Sequence, residues 1–147
     1  MKATTAAVAV VLLAGTLAGC GSKSAKDRYV SKLNAMCEDF AQREQRIGEP
    51  QSGAELAQRG DRIVAAYDAA LLRPLRQLQA PPEIAPQAAR LRKLARQQHD
   101  VLQGLAEAGR AGDVSRVRRL VVRNQLLNRQ AGEIANELHA DSCTSSG

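Results

Sequence analysis

The sequence predicts an all-α fold, an antiparallel up-down four-helix bundle closed by one disulfide. Three observations predict it. Apolar residues recur at three- and four-residue spacings through four successive segments. Capping and turn residues separate those segments by short connections, the condition for adjacent helices to run antiparallel. No window joins β-branched enrichment to strict alternation, so no strand is expected.

Ser24-Ala25-Lys26-Asp27 reads as a capped start, with an acid in the first turn where the helix end is positive. Val30, Leu33, Cys37, Phe40 and Ile47 form the first stripe, and Gly48-Glu49-Pro50 ends it. Ser52-Gly53-Ala54-Glu55 is a capping box opening the second helix, with Leu56, Ile63, Tyr67, Leu71, Leu75 and Leu78 as its stripe. Pro74 removes one helical hydrogen bond, but the spacing continues through it, which predicts a kink rather than an end.

Ala80-Pro81-Pro82-Glu83 leads into the third helix, striped by Leu91, Leu94, Ala95, Gln98, Leu102 and Leu105. Gly109 to Asp113 makes the next turn, with Asp113 as N-cap. The fourth helix is expected to bury Val117, Leu120, Val121, Leu127, Ala131, Ile134 and Leu138, and to fray near Asp141. The core is rich in Leu and Ala, with Tyr29, Phe40 and Tyr67 its whole aromatic set.

Leu17-Ala18-Gly19-Cys20 follows an apolar run, Ala6 to Leu17, that stands behind Lys2. This run is too short for a membrane span of roughly 20 residues and suits a signal-peptide core. The motif resembles a bacterial lipobox, which implies cleavage before Cys20 and a diacylglycerol on its sulfur. The expected organisation is a signal peptide over 1–19, a lipidated tether over 20–26, the bundle over 27–143 and a loose tail over 144–147. Two acyl chains suffice for stable anchoring where one does not. The implied address is the extracytoplasmic face of the cell membrane.

With Cys20 assigned to lipid, Cys37 and Cys143 remain as an even pair in an oxidising compartment. They are expected to form a disulfide joining the first helix to the C-terminal tail. No Cys-x-x-Cys supports a redox or metal role.

Further residues carry a second resemblance. Tyr29-Val30 followed by Asn34-Ala35-Met36-Cys37, then Ala80-Pro81-Pro82, Ala111-Gly112-Asp113 and a closing Cys143 are similar to small exported actinobacterial helical proteins. The resemblance spans about residues 27–143. It implies a secreted or lipid-anchored bundle closed by one disulfide, and no activity. Ala140-Asp141-Ser142 departs from it, since relatives carry a glycine and an apolar residue there.

Catalytic and metal-binding patterns are not found. Di-iron bundles need inward Glu-x-x-His pairs, but Arg96 precedes His99 and Asn136 precedes His139 at that spacing. No Gly-x-Ser-x-Gly and no phosphate-binding glycine loop occurs. The one chemical bias is arginine, within a net charge of +6. Arg110, Arg116, Arg119 and Arg123 are candidate anion contacts, and Arg90, Arg92, Lys93 and Arg96 enrich the third helix. The plainer reading is a solvated face balanced by nearby acids.

The expected function is that of a non-enzymatic, lipid-anchored envelope lipoprotein, an adaptor or protein-interaction module. The alternative is a small-ligand or metal carrier with a site between the helices near Pro74, Gln98 and Asn124. No catalytic residue, metal ligand or cofactor is expected. The expected partners are the membrane, through lipid on Cys20, and an envelope protein or anionic polymer. Nucleic acid is not expected, for lack of stacking aromatics.

Overall fold

The computed structural model describes residues 23–48 and 53–144, and all of its regular structure is helical. The leader over 1–19, Cys20, the Glu49-Pro50 stop, the Ser52 cap and the tail beyond Thr144 lie outside the described residues. The order is α1 (Ala25–Ile47), α2 (Gly53–Tyr67), a π turn (Asp68–Leu72), α3 (Arg73–Gln77), a 3-10 turn (Pro82–Ile84), α4 (Ala85–Ala111), α5 (Val114–Leu138) and a last 3-10 turn (Asp141–Cys143).

Local chemistry explains the main boundaries. The Ser24 hydroxyl accepts from the Asp27 N–H at 3.0 Å, and the Ser24 N–H donates to the Asp27 carboxylate at 3.1 Å. This capping box satisfies two groups that the helix leaves orphaned. It also starts α1 at Ala25, inside the stretch assigned to the tether. Gly48, at φ +69°, ends α1 in a conformation open to glycine.

Pro74 ends nothing. It lacks an N–H, and its ring conflicts with the carbonyl four residues back. The π turn widens the backbone immediately before it, where the Arg73 N–H reaches Asp68 O. The dihedrals stay helical from Tyr67 through Arg73, so α2 passes into α3 without a break. The guanidinium of Arg92 then donates to Leu75 O at 3.2 Å and to Leu78 O at 2.5 Å, meeting carbonyls at the end of α3.

Gly112, left-handed at φ +66°, terminates α4, and the Asp113 carboxylate caps α5 by accepting from the Arg116 N–H at 2.8 Å. The end of α5 corrects the expected fray. The helix stops at Leu138 because His139 adopts a left-handed conformation, φ +62°, and its N–H reaches Ala135 O and Asn136 O. Asp141–Cys143 follows as an ordered turn, and Thr144 bonds back to Asp141 O.

Helix α4 packs against both α2 and α5, whereas α1 rests on α2, on the π turn and on the last 3-10 turn. Paired contacts define how they meet. Arg59 reaches Gly48 O, Phe40 meets Tyr67, Asp61 pairs with Arg110, Tyr67 with Gln98 and Glu107 with Arg116. The core runs through Tyr29, Leu33, Tyr67, Leu75, Leu91, Leu127, Ile134 and Leu138, all buried. Each such side chain withdrawn from water contributes about 1.5–3 kcal/mol. Val121 is a correction: it stands 41 % exposed, on a helix whose main packing partner is α4 alone.

Cys37 and Cys143 form a disulfide, with Cα atoms 5.2 Å apart. Around it the Ser142 N–H donates to Asn34 Oδ1 at 3.2 Å and the Ser142 hydroxyl to Glu38 at 2.7 Å. Ser142, in the stretch where the resemblance departs, thus adds two hydrogen bonds to the bridge in seating the tail on α1.

Candidate functional site

All four long helical segments contribute to one cavity of about 570 Å³. That volume lies within the range of small-molecule sites, about 300–1,000 Å³. Leu33, Phe40, Ile63, Leu71, Leu75, Leu91, Leu102 and Leu105 supply most of its apolar wall. The two bridged residues, Cys37 and Cys143, close one side. Glu44 on α1 and Asn128 on α5 are the exposed lining residues, which places the mouth between those two helices.

A short polar chain crosses this apolar wall. The Tyr67 hydroxyl donates to Gln98 Oε1 at 2.8 Å, and Gln98 Nε2 donates to Asn128 Oδ1. Gln98 is 9 % exposed, so both of its bonds offset the cost of burying an amide. Burial pushes the Tyr67 phenol well above its ordinary value, so it stays a neutral donor throughout the physiological range. Its ring stands edge-on to Phe40, centroids 5.3 Å apart, which fixes its direction.

The direction of donation matters. Asn128 spends its oxygen on Gln98, leaving its amide nitrogen without a protein partner among the described residues. Asn124, one turn earlier on α5 and also lining the cavity, makes no hydrogen bond to a described residue. Two adjacent amides therefore offer unfilled polar capacity to a largely apolar space, whose lining also includes the charged Glu44 and Arg59.

Gln98 and Asn124 line the cavity, but Pro74 does not; its neighbours Leu71 and Leu75 do. Sequence reasoning missed Asn128 and the donor role of Tyr67. The available signal was Asn124 and Asn128, four apart and therefore on one face of the helix.

The arginine candidates divide. Arg110 pairs with Asp61 across α4 and α2, and Arg116 with Glu107 at 3.1 Å. Arg119 and Arg123 are exposed and make no such pair with a described residue. His99 lies 3.9 Å from Asp100, and His139 serves as the backbone stop of α5. Among the described residues, no group of three or more His, Cys, Asp or Glu is placed to hold a metal ion, and no helix is long and apolar enough to cross a membrane. No family model, curated protein or solved structure matches the chain, so the site stands on its own geometry.

Proposed function

We propose that this chain is a lipid-anchored envelope protein whose helical domain carries a small neutral amphiphile in the cavity between its helices. The observation that carries the reading is the cavity itself, apolar on most sides and crossed by the Tyr67–Gln98–Asn128 chain with Asn124 beside it. Apolar walls with a few convergent polar groups are what a ligand of mixed character requires. The free amide nitrogens suit an acceptor such as an ester or amide carbonyl. Tyr67, Gln98, Asn124 and Asn128 are all neutral, so a charged head placed against them would exchange its hydration for uncharged partners alone.

This reading replaces the adaptor expectation as the leading one. The lipobox resemblance at Cys20 supports the anchor and the extracytoplasmic address. The up-down antiparallel arrangement belongs to the same proposal. As α4 rises through Gln98, Gly104 and Glu107, its α5 neighbours fall through Asn128, Leu120 and Arg116. Gly60 against Ala106, and Tyr67 against Gln98, run in the same opposed sense between α2 and α4.

Thermal denaturation with monolaurin, laurate and dodecane tests the reading. A ligand that binds the native state alone, at about a hundred times its Kd, adds about 2.7 kcal/mol. Monolaurin is expected to raise the melting temperature saturably and above laurate. Asn124→Leu combined with Asn128→Leu should abolish the preference of monolaurin over dodecane. No saturable shift with any of the three overturns the proposal.

A further inference from the structure

Among the described residues, the exposed large apolar side chains are Val114, Val121, Val122 and Leu126, and all four are on α5. Val122 is 66 % exposed and Val114 60 %, values that no core-facing role explains. Positions 114, 118, 122 and 126 step by four, so Val114, Arg118, Val122 and Leu126 form one ladder along the outer face of the helix. Val117, Leu120, Asn124 and Leu127 take the opposite side, partly or fully buried.

Guanidinium groups stand within and beside this ladder. Arg118, Arg119, Arg123 and Arg129 are exposed, and none has an ion pair or hydrogen bond with a described residue. No Asp or Glu occurs from Val114 to Gly132. The result is a strip of exposed apolar side chains interleaved and edged with unneutralised positive charge, about 22 Å long from Val114 to Arg129.

We propose that this outer face of α5 rests on an anionic lipid bilayer. Short valine and leucine side chains suit shallow entry at the headgroup boundary, and arginine's planar fork matches lipid phosphates at the same depth. An amphipathic helix rich in basic residues reads as membrane-surface on these grounds. Single-stranded nucleic acid would need stacking rings, and Tyr29 and Tyr67 are buried while Phe40 is packed against the core. A polyanion without an apolar surface leaves Val122 and Leu126 unexplained. The inference does not depend on the cavity or on the anchor.

The chain contains no tryptophan, so Val122→Trp supplies a single reporter in the full chain. Gln58→Trp, exposed on α2, serves as control, because whatever the N-terminus does to a vesicle is common to both. Both variants must keep the helical signal and melting temperature of the parent. On phosphatidylglycerol vesicles, emission from the Val122→Trp variant is expected to shift to the blue and to be quenched by brominated lipid. Emission from the Gln58→Trp variant is expected to stay unchanged. The effect should vanish on phosphatidylcholine vesicles and on replacing all four free arginines by glutamine. Removing them singly should weaken binding by about fivefold each. Water-like emission from the Val122→Trp variant on phosphatidylglycerol overturns the proposal. So does equal response to both lipids, or a response to polyglutamate or duplex DNA in place of vesicles.

Discussion

Along the seam between α2 and α4, a Cβ added at Gly60 would stand 2.9 Å from Ala106 Cβ and 3.1 Å from Ala106 Cα. Two backbones meet there with almost nothing between them. Across the molecule, α1 and α5 share a cavity wall, and α1 is joined to the chain end that follows α5 through Cys143 and Ser142. The first region is held by shape and the second by a covalent bond and a few polar contacts. Close approach of helices leaves no room for a ligand, while a stapled and loosely packed side leaves room without letting the helices part.

The largest break in this contrast comes from the staple. Replacing Cys37 and Cys143 by alanine removes a crosslink whose loop-closure entropy is worth about 4–5 kcal/mol. Urea unfolding is expected to show most of that loss, together with loss of the monolaurin shift. A variant of unchanged stability would mean that packing alone holds the α1 side.

The seam is sharpened by one substitution at two places. Gly60→Ala should destabilise by about 1–3 kcal/mol, since the new methyl must push α4 away. Gly132→Ala on α5 has no neighbour within 4 Å and should stabilise by up to about 1 kcal/mol through helix propensity. Equal signs in denaturant melts would show that the seam yields more readily than its distances imply.

The smallest effect lies at the start of α1. Ser24→Ala should cost about 1 kcal/mol by removing the cap. It should also flatten the acid limb of stability. Hydrogen bonds from Ser24 hold the Asp27 carboxyl below its ordinary value of 3.8. A depressed carboxyl contributes stability that is present above its ordinary value and is lost as pH falls through the lowered one. The parent should therefore lose stability faster than Ser24→Ala on acidification, as melting curves across that range will show.

Much of the backbone was legible because its signals are local. Ser24, Asp113, Gly48 and Gly112 act where they stand in sequence, and the disulfide followed from cysteine parity. The π turn was not legible. It adds a widened turn before Pro74 while keeping Leu71, Leu75 and Leu78 at helical spacing, so periodicity reads straight through it. Val121 was misplaced because a stripe tells which side faces inward, not how many neighbours wait there. The cavity was legible in part, through Gln98 and Asn124. Its volume is a deficit of packing, and no residue pattern encodes a deficit. Arg110 and Arg119 likewise look alike in sequence, and the carboxylate that separates them lies 49 positions away at Asp61.

The disulfide joins a residue midway along α1 to the very end of the helical domain, 106 positions later. A pull applied between the two chain ends therefore travels down the first half of α1, across the two sulfurs and out through the tail. Everything from Glu38 to Ser142 lies off that load path, and of the cavity lining only Leu33, Cys37 and Cys143 lie on it. Such tension would extend the start of α1 first and leave the helices behind the bridge mechanically shielded.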